Sequence, residues 1–259
     1  MLKLAWRNIW RNKGRSAISI AAVMFCVIFA VVLRSFQIGV WENMTHEIVA
    51  NNFGYLQLHQ KGFWADQTLD NSLELASVNE QIFLDHPDVK GLIPRIESFS
   101  LVSTGEGTKG TLVMGIDPQK ELPGLQLDQF LMHGSTFAPD DKSVVVAEGL
   151  AKFFNLSIGD TLLFIGQGYH AASAYGRYPV VGIARMRNPE LNKQLVLMPF
   201  KEAQFMYNCV GRATTLVVDL EDGANYKQVN QELLAAIDSS AIELLSWEQL
   251  FPEIIQTIE

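Results

Sequence analysis

Apolar and polar positions divide this chain into two regimes. From Ser16 to Leu33 there is no charge, and the only polar side chains are Ser16 and Ser19. Ile18, Ile20, Val23, Phe25, Val27, Phe29 and Val31 are apolar all round a helical projection, which a helix with one wet face does not tolerate. A helix of that length rises about 27 Å, close to the roughly 30 Å hydrocarbon core of a bilayer. The pattern predicts a transmembrane helix over residues 16–40. Before it, Lys3, Arg7, Arg11 and Arg15 recur every fourth residue beside Leu2, Trp6, Ile9 and Trp10, which predicts a cytoplasmic interfacial helix over residues 1–15. Trp6, Trp10, Arg7, Arg11 and Arg15 are its membrane-interface residues, and Arg34 extends its head to the outer headgroups. Beyond the span, Trp41, Met44, Thr45, Ile48 and Val49 keep helical spacing, continuing the helix as a stalk before Gly54.

From Tyr55 onward the period shortens and changes repeatedly. Alternation predicts strands at 55–59, 96–102, 111–116, 144–147, 161–165, 179–184, 194–198, 215–220 and 242–245. Ser77 with Glu80 three residues later marks a capping box that opens a helix ended by Pro87. Further helices are predicted at 148–154 and 226–237. Trp247, Leu250, Ile254, Ile255 and Ile258 keep helical spacing. Short strands mixed with short helices define an α+β exported region in two lobes.

Charge orients this arrangement. Five basic residues (Lys3, Arg7, Arg11, Lys13, Arg15) precede the apolar run and all 28 acidic residues follow it, the first at Glu42. The positive-inside rule puts the N-terminus in the cytoplasm and residues beyond about 41 outside it. A cleaved signal peptide fits poorly, because Leu33-Arg-Ser-Phe-Gln37 offers no small-residue cleavage site. The net charge of −8 hides an imbalance: removing those five cations from 20 Lys and Arg leaves 15 against 28 Asp and Glu. That acidic region gives no support to nucleic-acid binding. Cys26 lies in the span and Cys209 far beyond it, so no intrachain disulfide is expected.

Candidate chemistry is sparse. Gly105-Glu-Gly107-Thr-Lys-Gly110 matches a dinucleotide-binding glycine pattern, but β-forming residues follow it where a helix is required, so it reads as a hairpin tip. There is no P-loop and no nucleophile elbow. The histidines (46, 59, 86, 133 and 170) are isolated and read as surface or loop residues, and Asp140-Asp141 and Glu221-Asp222 as polar turns. No catalytic, cofactor or metal residues are assigned. The loop Gly166–Tyr178, with Tyr169, His170, Tyr175 and Arg177, reads either as a partner-contact surface or as an ordinary connection.

The opening Leu4-Ala-Trp-Arg-Asn-Ile-Trp-Arg-Asn-Lys-Gly-Arg15 resembles the start of FtsX-like, MacB-type ABC transporter permeases. Gly54–His59 with Leu69-Asp-Asn71, and Gly166–Ile183 with Asn188-Pro-Glu190 and Met198-Pro199, are similar to the LolC/LolE-like branch. The resemblance implies a porter-like exported lobe (residues 41–115 and 213–246) with an inserted sabre-like lobe (116–212). It also implies a bacterial inner-membrane subunit of a dimer, homomeric or heteromeric with a second permease subunit. A cytoplasmic ABC ATPase subunit would drive it, and an extracytoplasmic lipoprotein or carrier would be its cargo or contact. The subunit itself would be non-catalytic. Such permeases have further membrane helices, so this chain is expected to be a fragment, with residues 247–259 leading into a missing second helix. Two other readings are a single-span anchored binding or adaptor module and an FtsX-type regulator of cell-wall hydrolases.

Overall fold

The computed structural model describes residue 11 and residues 13–48, 54–105, 107–125 and 127–252. The chain falls into two compact units, residues 1–46 and 47–259. In the first, helix α1 (Lys13–Ile48) contains a stretch, Lys13–Gln37, long and apolar enough to cross a membrane, with a mean hydropathy of 2.8 and none of it buried. Phe25, Phe29 and Val31 all face outward, as lipid-facing side chains do. Arg11, Arg15 and Arg34 are exposed. Trp6, Arg7 and Trp10 lie outside the described residues.

The second unit is built on a ten-stranded sheet with short helices against it. Its strands are β1 (Leu56–Gln60), β3 (Val89–Ser103), β4 (Thr108–Ile116), β5 (Leu131–Gly134), β6 (Val144–Ala147), β7 (Thr161–Gln167), β8 (Ser173–Ala184), β9 (Leu195–Pro199), β11 (Thr215–Leu220) and β12 (Ile242–Ser246). A separate pair joins β2 (Leu73–Glu74) to β10 (Arg212–Ala213). The helices are α2 (Phe63–Asp66), α3 (Glu80–Leu84), α4 (Pro118–Leu125), α5 (Leu127–Phe130), α6 (Glu148–Phe154), α7 (Pro189–Gln194), α8 (Phe200–Met206), α9 (Tyr226–Ala236) and α10 (Trp247–Leu250).

Following the pairings β3–β4–β9–β6–β8–β7 leads back to β3, so these strands close a barrel. Closure removes free edges. Inward positions alternate with outward ones along each strand, and Val102, Val113, Val144, Val146, Leu162, Phe164, Val180 and Val196 share one core. Tyr207, just after α8, is fully buried in it, its hydroxyl 2.7 Å from Ser100 Oγ. Gly166 is required opposite that pair, since a Cβ there would come within 2.5 Å of Ser100 Oγ. On the barrel's outside, Met114, Val145 and Leu197 are covered by Leu127 of α5, Phe137 and Leu191 of α7.

A second core lies on the antiparallel run β12–β1–β11 and the first half of β3. Leu56, Leu58, Leu216 and Leu244 from these strands meet Phe83 of α3 and Val229 and Leu233 of α9. The β3 strand serves both cores. Val89–Arg95 pair with β11 and Ser100–Ser103 pair with β7, while β4 pairs along Arg95–Ser103.

The glycine pattern at 105–110 is the β3–β4 hairpin turn, with Gly105 at φ 97°. Several expectations are corrected. The α3 helix is capped by Asn79, whose side-chain oxygen accepts from Gln81 N; Ser77 instead donates to the Glu74 carbonyl. Residues 189–194 form α7 before β9 begins, because Asn188 caps them and Pro189 holds the first helical position. The helix at 247 ends at Leu250 within the described residues, after a capping box between Ser246 and Gln249; Ile254, Ile255 and Ile258 lie outside them. His59 is no surface or loop residue: it is fully buried on β1.

Phe164→Ala, opening a cavity inside the barrel, is expected to cost about 3–5 kcal/mol of unfolding free energy. Phe99→Ala, outside it, is expected to cost less than about 0.5 kcal/mol. Denaturant titration of the detergent-solubilised protein compares the two.

Candidate functional site

The segment expected as a loop at 166–178 is mostly a β-hairpin. β7 and β8 pair from Thr161↔Pro179 to Gln167↔Ser173, and only Gly168–Ala172 remain as the connection. Glycine and alanine, read as loop residues, are here the small inward positions of β8: Ala174 and Gly176 share the inward face with Tyr178, which fills the barrel. Outward positions carry the opposite polarity to that expected. Leu101, Ile165 and Tyr175 lie in one cross-strand row over β3, β7 and β8, with Phe99 two residues along the same face of β3. Their exposures are 52%, 51%, 75% and 62%. Beneath them, Ser100 is buried. An apolar residue outward and a polar one inward inverts the usual strand pattern, and contiguous exposed apolar surface of this kind marks interaction sites. Arg177 flanks the row, opposite Leu163.

The four expected contact residues therefore fall in two places. Tyr175 and Arg177 project from the outer face of β8. Tyr169 and His170 lie in the connecting turn, their rings stacked at 4.1 Å. Tyr169 is half-buried against the barrel core, with the Arg212 guanidinium 4.6 Å from its ring centre. His170 is exposed. Both His170 and Ala171 are left-handed, with φ 53° and 56°, a conformation that costs non-glycine residues roughly 1–2 kcal/mol each. It is held from outside the hairpin: Asp70 Oδ1 accepts from His170 N at 2.5 Å, and the Tyr207 carbonyl accepts from Tyr169 N at 2.8 Å. Phe99, Leu101, Ile165 and Asp70 carry no residue-level signature; only the inverted alternation of Phe99-Ser-Leu101 hints at the row.

Between the two cores the packing turns polar. Arg95 and Glu121, both buried, form an ion pair, and Glu97 lies 3.9 Å from Arg95. Burial pushes the Glu97 carboxyl up despite Arg95 beside it. Thr214 ties the strands: its N–H and its hydroxyl both donate to the Arg95 carbonyl, and its hydroxyl oxygen accepts from Glu97 N. His59 Nδ1 donates to the Thr214 carbonyl at 2.9 Å. At Nε2, 3.0 Å from the Gln57 amide, the neutral ring offers only an acceptor, so the amide NH2 belongs there. Burial holds the His59 pKa down to about 4, partly opposed by the Thr214 bond.

Among the described residues no group of His, Cys, Asp or Glu is arranged to hold a metal. The Cys209 thiol is buried and pushed up to about 12, which keeps it protonated.

An exposed apolar helix followed by this barrel-and-sheet domain is the arrangement of a membrane-anchored protein with an exported domain of the ABC transporter permease type. The chain matches the MacB-like periplasmic core domain family over residues 16–236, most of its length, and belongs to that family. Among solved structures, the periplasmic region of MacB from Actinobacillus actinomycetemcomitans superposes with a TM-score of 0.55 at 15% identity, covering 83% of this chain and 97% of that one. The extracellular domain of the noncanonic ABC-type transporter YknZ from Gram-positive bacteria gives 0.50 at 12% identity, covering 74% and 100%. At these identities the likeness is one of fold. No curated protein sequence matches.

His59 makes stability depend on pH. Its folded pKa lies below its unfolded value of 6.5, so between the two the unfolded chain holds the proton. The stabilisation is complete above 6.5 and is lost as pH falls toward 4, on the order of 3 kcal/mol. Unfolding free energies of wild type and His59→Asn, measured from pH 7 to 4, are expected to converge as pH falls.

Proposed function

We propose that this chain is a transmembrane subunit of a MacB/FtsX-type ABC transporter, in which cytoplasmic ATP hydrolysis moves an exported domain. The observation that carries this reading is an exposed apolar helix leading into a MacB-like periplasmic core domain. The domain's own geometry supports it. The chain enters at Tyr55 and leaves at Trp247 side by side, Trp247 N donating to the Tyr55 carbonyl at 3.0 Å, and Phe251 packs on Trp64 at 5.8 Å.

On this reading Trp6, Trp10, Arg7, Arg11 and Arg15 anchor the cytoplasmic side of a bacterial inner membrane, with Arg34 at the outer side. The partners are a cytoplasmic ABC ATPase subunit and a second permease subunit. The lobes are porter-like (41–115 and 213–246) and sabre-like (116–212), with β3 shared between the barrel core and the second core. The Leu101–Ile165–Tyr175 row is the surface offered to an extracytoplasmic lipoprotein or carrier, and the chain itself catalyses nothing.

Isolation of the full-length protein from its native membrane in mild detergent is expected to bring an ABC ATPase with it. Repeated recovery without any ATPase, under conditions that preserve other transporters, would sink the transport reading and leave an anchored binding module. For the contact surface, a photoreactive residue at Ile165 is expected to cross-link an exported protein in cells. Tyr175→Asp should abolish that product while changing stability by less than about 0.5 kcal/mol. Cross-linking unaffected by Tyr175→Asp would remove the row as the contact.

A further inference from the structure

Residues 61–77, between β1 and the segment before α3, pass back and forth between the two cores. Phe63 stacks on His59 at 5.3 Å beside β1. Leu69 then leaves that neighbourhood and inserts into the barrel core, while Leu73, four residues later, is fully buried in the other core. Between them, Asp70 accepts from His170 N in the strained turn. Ser72 accepts from Arg212, its hydroxyl receiving Nε at 2.8 Å and its carbonyl receiving the other arm of the guanidinium. The same guanidinium lies on the Tyr169 ring. β2 pairs with β10, and Leu75 N donates to the Gly211 carbonyl at 2.9 Å. Two residues beyond Arg212 is Thr214, which bonds to Arg95 where β3 crosses from one core to the other.

We propose that residues 69–74 are a latch that couples the hairpin turn at 168–172 to the strand crossing at Arg95 and Thr214. Asp70 is its positioning residue. The left-handed backbone at His170 and Ala171 is unfavourable by itself and persists because a neighbour over-determines it. Releasing the Asp70 bond lets the turn relax toward right-handed or extended backbone. Tyr169 then loses its seat under Arg212, Arg212 loosens from Ser72, and the strand leading to Thr214 is freed. The barrel and the second core are otherwise joined here by β3 and the strand through Thr214, two adjacent segments about which a hinge or shear can act. The coupling does not depend on what meets the turn or on an ATPase, so it stands or falls apart from the transport reading.

Hydrogen–deuterium exchange of the full-length protein in detergent tests it, because local openings report on contiguous cooperative units. Asp70→Ala is expected to raise exchange by about tenfold or more at three places: residues 169–172, residues 71–75 and residues 212–214. β6, β9 and α9 should stay as protected as in wild type. Asp70→Asn keeps a side-chain acceptor and should remain close to wild type. Faster exchange confined to 169–172 would overturn the latch and make Asp70 a local turn cap. Faster exchange throughout both cores would overturn it too, as general destabilisation. Should Asp70→Ala not accumulate, Leu69→Ala probes the same coupling from the adjacent anchor in the barrel core: exchange must rise at both 169–172 and 212–214, and a rise at neither, or at only one, rejects it.

Discussion

The pairing of Ser100–Ser103 with Leu163–Gly166 closes the exported domain's barrel, and most other features depend on it. Without those pairs β7 would be a free edge on β8, and the sheet would remain an open ribbon. The closure requires β3 to be long, because its first half already engages β11 on the same side. It also requires Gly166, since a side chain there would displace Ser100 and with it the bond to Tyr207. Once closed, the barrel has a mainly apolar interior, and the outer face of β3, β7 and β8 becomes a continuous surface. That closure brings Phe99 and Leu101 of β3 beside Ile165 and Tyr175 of the β7–β8 hairpin.

The polar junction follows from the same constraint. Where β3 changes partner from β11 to β7, residues 96–99 have no strand on that side, and Thr214 bridges part of the gap with its backbone and hydroxyl. Arg95, Glu97 and Glu121 occupy the space between the cores. A buried ion pair contributes little net stability, because desolvation offsets most of its attraction. It does fix geometry: Glu121 holds α4 against β3 through a directional contact. The junction is thus specified by hydrogen bonds and charge, the cores on either side by shape and apolar area.

How much of this was readable in the amino-acid order differs by element. The membrane helix was legible because Ser16–Leu33 is apolar on every side, and hydropathy depends only on composition. The β3–β4 hairpin and β11 were legible from alternation around glycine-rich or polar turns. The second half of β8 was legible as a strand at 179–184, but its first half was not, because Ala174 and Gly176 carry no hydrophobic signal; a side chain at Gly176 would collide with Tyr178. His59 was misread because nothing local distinguishes a buried histidine, and its partner Thr214 is 155 residues away. Of the expected contact residues, Tyr175 lies in the exposed apolar row, which Leu101 and Ile165 join through strand register rather than sequence proximity. Nothing local marks Asp70, whose bond to His170 N spans 100 residues.

The placement of β1 has a consequence for biosynthesis. Its neighbours are β11 and β12, which are made long after it. At roughly 5–20 residues per second, the chain between His59 and Thr214, 155 residues apart, takes on the order of 8–30 s to emerge. Throughout that interval β1 has no strand to pair with, though the barrel, drawn from β3 to β9, can already close. The exported domain is therefore assembled from its middle outward. Until β11 and β12 have been made, β1 must be kept from wrong partners.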